Sequence, residues 1–269
     1  MPGSAVTVVI PVWGARYVSA LDRAIASVRR EDEQVPIVVV DNASDVEVPQ
    51  AAGAVVVRSP RRLSAGEARN LGLERVTSEC VVLLDADDEL IEGALSWLRR
   101  GIAADHRIAV YSMSLLEAET GARHRTPRRL ATVLARAPWL FARATAVWSL
   151  YPIHGNAIMR TSWVREAGGY PDCSGGEDWV LGISQAFRGR VVIDPRPGLV
   201  YHADADSLWR QSRGASDLLA AARQVRARLS SDPVVPRPTR AMIPLLAALQ
   251  TLLILVVRPA FQALRGRPS

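Results

Sequence analysis

Three carboxylates fall within four positions at Leu84-Asp85-Ala86-Asp87-Asp88. Anions spaced this closely repel one another unless a cation relieves them. A small set of hard oxygen donors suits Mg2+ or Mn2+, which keep their remaining positions for water and phosphate oxygens. The segment is therefore a candidate metal–diphosphate site. A structural alternative is that Asp87, Asp88 and Glu89 favour the N-terminus of a helix over 91–100. Asp41 has a similar setting: it follows the apolar run Val35–Val40, as Asp85 follows Cys80–Leu84. Either acid alone reads equally as a turn or cap residue.

Other chemistry is excluded by composition. All 33 basic residues are arginine, so there is no Walker A lysine, no Schiff-base lysine and no kinase-type phosphate lysine. The first strand leads into Pro11-Val12-Trp13-Gly14 without a GxGxxG, which argues against a dinucleotide fold. Cys80 and Cys173 make neither a disulfide framework nor a zinc cluster, and a reducing compartment is expected.

The elements that must position the acids alternate. Val6–Ile10 and Val35–Val40 are expected as buried strands, Val55–Val57 as a short third strand and Cys80–Leu84 as another apolar strand. Between them, residues 17–30 place Leu21, Ile25 and Val28 on one helical face, and 65–76 predict a second helix capped by Ser64. Strand–helix alternation with continuously apolar strands predicts a mostly parallel α/β sheet covered on both faces. In such a sheet ligands bind outside the carboxyl ends of the strands, so Asp41 and Asp85 are expected in one crevice.

At this point the sequence resembles the family-2 glycosyltransferases of the GT-A fold. The resemblance rests on VTVVIPVWG at 6–14, VVVDNASD at 38–45, SAGEARNLGL at 64–73, VVLLDADDEL at 81–90 and GGEDWVLGIS at 175–184, in matching order over roughly 5–205. It implies transfer of a sugar from a nucleotide-diphosphate sugar, a UDP-sugar as first choice, to an acceptor hydroxyl. It also implies roles: the first strand and its loop, including Pro11, border the nucleotide; Asp41 meets the base; Arg69 lies near base or diphosphate; Asp85 holds the ribose; Asp87 binds Mn2+ or Mg2+. Asp178 looks like the catalytic base, with Glu177 orienting. In an inverting transfer a carboxylate deprotonates the acceptor hydroxyl while a metal stabilises the leaving diphosphate. The alternative for Glu177 and Asp178 is an ordinary acidic helix start at 177–187. His202 is either a further metal or diphosphate ligand or a structural histidine. Trp179 either stacks on a sugar or packs in the interior. His154 borders the acceptor or is structural. The rival functions are a nucleotidyltransferase, which lacks its expected lysine-bearing glycine-rich loop here, and a non-catalytic nucleotide-sugar-binding module.

The net charge of +6 is unevenly distributed. Residues 120–165 hold eight arginines and 237–269 hold five, with no acid in either segment. Two local zones suit anionic lipid or phosphate better than a nucleic-acid groove. Residues 127–150 read either as a cationic amphipathic segment at a lipid surface or as a solvated helix face. Residues 206–229 read as helical with a break near Gly214. Pro233, Pro236 and Pro238 suggest a stiff linker. The uncharged 17-residue run Ala241–Val257 is a single span, a monotopic helix or a helix packed on protein. The organisation expected is a nucleotide-sugar-binding half at 1–90, an acceptor-binding half at 91–205, a helical extension at 206–232 and a membrane-associating tail at 233–269. The N-terminus reads as a first strand rather than a signal peptide. The acceptor is then a lipid-linked or cell-surface glycan precursor, met at the cytoplasmic face of the membrane.

Overall fold

The computed structural model describes residues 5–49, 53–119, 121, 123–124, 129–151, 153, 155–173, 175–202 and 214–257. Its first third forms β1 (Val6–Val12), α1 (Gly14–Glu31), β2 (Ile37–Asp41), β3 (Ala54–Arg58), α2 (Ala65–Leu73) and β4 (Cys80–Leu83). The strands lie in the order β3-β2-β1-β4, all parallel. Alternate residues of β1 serve opposite faces. Val6, Val8, Ile10 and Val12 pack with Leu21, Ala24, Ile25 and Val28 of α1, whereas Val9 packs with Ala68 and Leu73 of α2. Burial on both faces explains the unbroken apolar runs.

β1 is longer than expected and runs through Pro11, a residue foreign to central strands. The reason is local. The Val8 amide and the Val12 carbonyl bond on the β2 side, while the Val9 carbonyl accepts from Leu84 on the β4 side. Pro11 shares the side of Val9, and β4 has ended there, so no ladder amide is missing. α2 starts as the sequence indicates: Ser64 accepts from the Glu67 amide and Glu67 accepts from the Ser64 amide, a capping box.

The chain continues through β5 (Glu89–Leu90), α3 (Ala94–Ala103), β6 (Ile108–Glu117), β7 (Arg123–His124), α4 (Arg129–Leu134), α5 (Pro138–Val147), β8 (Ala157–Arg160), α6 (Thr161–Glu166), α7 (Glu177–Arg188) and β9 (Arg190–Tyr201). β8 joins β4 antiparallel, and the same sheet extends through β6 and β9 to β5. Two expectations need correction. α3 begins at Ala94 after a left-handed Gly93, and Glu89 lies in a strand, so the acids at 87–89 do not start that helix. Residues 129–147 are two short helices separated before Pro138, not one amphipathic helix.

The end of the chain packs on α7. α8 (Ala215–Ser231) contributes Ala221, Ala222, Val225 and Leu229 to a cluster with Trp179, Val180 and Ile183. Residues 206–213, the front of the expected helix, lie outside the described residues, and Gly214 is the N-cap of α8. The expected proline linker is instead a docked turn. Asp232 is buried and takes both terminal nitrogens of the buried Arg188, while Val235 and Thr239 are also buried. α9 (Arg237–Ala241) and α10 (Ile243–Leu252) follow, and α10 continues into a π-helical turn at Leu253–Val257.

Gly176 caps α7 with φ of 78°, and a Cβ there would lie 2.5 Å from the Ala221 Cβ. Gly168 has the same φ of 78° but open space around it. Gly168→Ala is expected to cost about 1 kcal/mol from backbone strain alone. Gly176→Ala is expected to cost about 3 kcal/mol, because α8 must also shift. Urea unfolding of the two variants checks the difference.

Candidate functional site

The crevice at the carboxyl ends of β1, β2 and β3 is stitched together by side chains. Val12, Asp41 and Arg58 are in register across the three strands. The buried Asp41 carboxylate accepts from the Ser44 amide at 2.9 Å and from the Arg58 guanidinium. Asn42 bonds both backbone groups of the loop before α2, accepting from Leu63 N–H at 2.8 Å and donating to its carbonyl at 3.1 Å. Ser44 Oγ accepts from Gly14 at the start of α1. On this rim Trp13 is 44 % exposed, and the Arg62 guanidinium lies 3.1 Å from the centroid of its ring. Trp13 and Arg62 were not singled out from sequence. The available signal was an aromatic residue directly after a strand that ends at a ligand crevice.

The second cluster gathers around Arg69. Its helix sits close to the sheet because Gly72 faces Val9 and Val40, where a Cβ would come within 2.3 Å of Val9 Cγ1. From α2 the buried guanidinium donates to Asp85 at 2.8 Å and to Glu177 at 2.9 Å, and it lies 5.4 Å from the centroid of the Tyr170 ring. Burial alone would pull the Arg69 pKa down; Asp85 and Glu177 outweigh it and hold the pKa well above its ordinary value. Arg69 is thus between the two acids rather than in a contact with the β2 end.

Asp178 follows Glu177 at the start of α7, and its Oδ1 accepts from the Trp179 amide at 2.8 Å. Burial, with Asp178 adding to it, pushes the Tyr151 phenol far up; burial also raises Tyr170, against the opposing pull of Arg69. Both phenols therefore remain neutral. Tyr151 donates to the Gly182 carbonyl at 2.8 Å, whereas the buried Tyr170 hydroxyl has no hydrogen-bond partner among the described residues. Trp179 is 5 % exposed, its indole N–H donates to Thr145 and its ring lies 6.4 Å from Trp148. A ring so enclosed offers no face to a sugar, because α5 and α8 already cover it.

The turn after Asp85 crowds carboxyl groups, which Arg16 and His202 offset only in part at Asp87. Burial first, and Asp85 second, push the Asp87 carboxyl up to about 6. Asp88 is more deeply buried and is raised well above the usual range by burial and then by Asp85 and Asp87. Pairing of β5 with β9 brings His202 here: its amide donates to Asp88 at 3.1 Å, and its Nε2 lies 3.2 Å from Glu89 Oε1. Among the described residues no three His, Cys, Asp or Glu side chains converge to enclose a metal ion. The donor set nevertheless fits a cation that takes one or two carboxylates and completes its shell with water and phosphate oxygens. The raised Asp87 is the group whose charge such an ion would balance. His154 lies outside the described residues.

Comparison with known proteins agrees with this architecture. The S. aureus TarS 1–349 structure in complex with UDP-GlcNAc superposes with a TM-score of 0.72 at 14 % identity, covering 97 % of this chain and 76 % of that one. Against the longer S. aureus TarS structure the TM-score is 0.65 at 14 % identity, and 46 % of that chain is covered. The mannosyltransferase PcManGT from Pyrobaculum calidifontis, in complex with GDP-Man and Mn2+, gives 0.65 at 20 % identity over 99 % of this chain and 76 % of that one. These likenesses show the fold, which is that of the GT-A glycosyltransferases. No curated protein matches in sequence. The sequence profile of glycosyl transferase family 2 matches residues 7–168, more than half of the chain, and the protein belongs to that family.

Proposed function

We propose that this glycosyltransferase is a metal-dependent, inverting enzyme that uses a UDP-sugar and glycosylates a lipid-linked or cell-surface glycan precursor at the cytoplasmic face of a membrane. The observation that carries the reading is the bridge from Asp85 through Arg69 to Glu177. One guanidinium spans the strand-end acid and the α7 acid, so the donor side and the acceptor side flank a single cleft. The UDP-GlcNAc, UDP and GDP-Man complexes of the structural neighbours support a nucleotide sugar in that position.

On this reading Pro11, Asp41 and Trp13 border the base, and Asp85 faces the ribose. Asp87, with His202 nearby, would hold Mn2+ or Mg2+, which when bound would supply positive charge for the leaving diphosphate. Glu177 is engaged by Arg69 and orients, which leaves Asp178 as the base. Its carboxylate takes the acceptor hydroxyl proton while the acceptor oxygen bonds to the anomeric carbon. The bond from that carbon to the diphosphate oxygen breaks on the opposite face, so the configuration inverts.

Asp178→Asn is expected to lower kcat for sugar transfer by about 10²–10⁴-fold, the usual loss for a general base. Thermal stabilisation by UDP with Mn2+ should persist in this variant. Parent-like turnover in Asp178→Asn would remove the base assignment.

Arg69→Met keeps much of the side-chain volume but leaves two partly buried carboxylates without their cation. A stability loss of about 3 kcal/mol is expected, with Arg69→Lys recovering little because it lacks the fork. Urea unfolding measures both.

The raised Asp87 sets a pH dependence. Its folded pKa of about 6 exceeds the ordinary value of 3.8, so the folded state binds more protons between them. In the absence of metal, its contribution to stability falls as pH rises through this window and levels off above it. A bound cation competes with that proton. The rise in Tm on adding Mn2+ should therefore be larger above the folded pKa than below it, and Asp87→Asn should abolish most of the difference.

A further inference from the structure

α10 is attached to the body through its amide side chain. Gln250 is fully buried; its Nε2 donates to the Ala146 carbonyl of α5 at 2.8 Å and its Oε1 accepts from Arg226 of α8. Ile254 is buried beside it, with Ile243 and Leu246 packed against the same cluster. The outward face is the reverse of a water-facing helix. Met242, Leu245, Leu249, Leu252, Leu255 and Val256 are exposed, Leu245 by 63 %. No charged residue occurs from 241 to 257. α5 packs against α10 and, with α4, presents more apolar surface, with Leu130 63 % and Trp139 65 % exposed.

Exposed arginines occur in the segments that carry this surface. Arg136 and Arg237 are exposed, and the Arg143 guanidinium lies 5.6 Å from the centroid of the Trp139 ring. The segments 120–165 and 237–269 contain thirteen arginines and no acid. An apolar face bordered by cations and an interfacial tryptophan matches the boundary of an anionic bilayer. A second copy is a poor match, since pairing the two faces would bring arginine against arginine. A span is also a poor match. No helix among the described residues is long and apolar enough to cross a membrane. α10 and its π-helical turn have 10 and 5 residues, at most about 22 Å against about 30 Å of hydrocarbon. The Gln250 bonds further tie the helix to the globular body.

We infer that α10 and its π-helical turn, together with the exposed residues of α4 and α5, form a monotopic docking surface for an anionic phospholipid bilayer. Ile254 shares its cluster with Trp179, the neighbour of Asp178, so the surface adjoins the acceptor side of the cleft. The link to a lipid-borne acceptor rests on the proposed glycosyl transfer; the docking itself does not.

The test is co-sedimentation of the full chain with vesicles of phosphatidylcholine alone and of phosphatidylcholine mixed with phosphatidylglycerol. Binding to the mixed vesicles is expected, about tenfold stronger than to the neutral ones and weakened by salt. Leu249→Glu combined with Leu252→Glu should reduce it by about tenfold or more. Both positions face outward, so thermal stabilisation by UDP with Mn2+ should be retained and serves as the folding control. In a second variant, Arg136→Glu with Arg237→Glu should erase the preference for anionic vesicles. Failure of the parent to bind either vesicle, or equal binding by the leucine double variant, overturns the inference. So does a parent dimer that the leucine variant converts to a monomer with vesicle binding unchanged. Vesicle binding without any sugar transfer would instead count against the proposed reaction and leave the docking surface standing.

Discussion

A desolvated guanidinium must be neutralised where it is buried, and Arg69 is neutralised by two acids that the chain delivers from opposite directions. Asp85 comes from the end of β4, and Glu177 from the start of α7, 108 residues beyond Arg69. Losing either partner leaves charge in a low-dielectric setting, so the two halves of the sheet are held to one relative placement. Close packing makes this possible. Gly72 lets α2 approach β1 and β2, and Gly176 lets the start of α7 approach α8. Together they fix Arg69 and Glu177 within a hydrogen bond of each other. Asp87 follows Asp85 by two positions and Asp178 directly follows Glu177, so each proposed functional acid lies within two residues of this bridge.

The first four strands and α2 were legible in the sequence because their forces are local. Three apolar runs specify the buried strands β1, β2 and β4, a fourth, Val55–Val57, forms the half-exposed edge strand β3 with Val55 58 % exposed, and Ser64 with Glu67 specifies the start of α2 by a three-residue spacing. The positions of Asp41 and Asp85 then follow from strand ends. What escaped the sequence depends on long-range contacts or on a single unusual backbone conformation. The left-handed Gly93 delays α3 and releases Glu89 into β5. That short strand pairs with β9 and carries His202 to Asp88, a contact no spacing reveals. The direction of the Arg69 guanidinium was equally hidden, because both of its partners are chosen by tertiary packing. Trp179 could be read two ways, since a tryptophan one turn into a helix has no intrinsic face; α5 and α8 decide it.

Hydropathy similarly described the composition of 241–257 but not its orientation. A uniform apolar run gives no moment by which to choose an inner face. The choice is made by Gln250, whose amide finds a carbonyl on α5 and a guanidinium on α8. A polar group with both a donor and an acceptor available is stable in the interior, and the leucines on the other side are left outside as a consequence.

The satisfied and unsatisfied groups therefore divide the molecule by purpose. Arg188 with Asp232 and Gln250 with its two partners close on themselves, and each has a structural role that needs nothing further. Asp87 and Asp88 differ: burial and the charge of Asp85 raise both, and the amide of His202 donates to Asp88. The outer face of α10 is also open, with apolar side chains in water. Each departure lowers the stability of the isolated chain, and on the proposed reading each would be relieved by a different species, a cation with its diphosphate at the turn and a lipid surface at the helix.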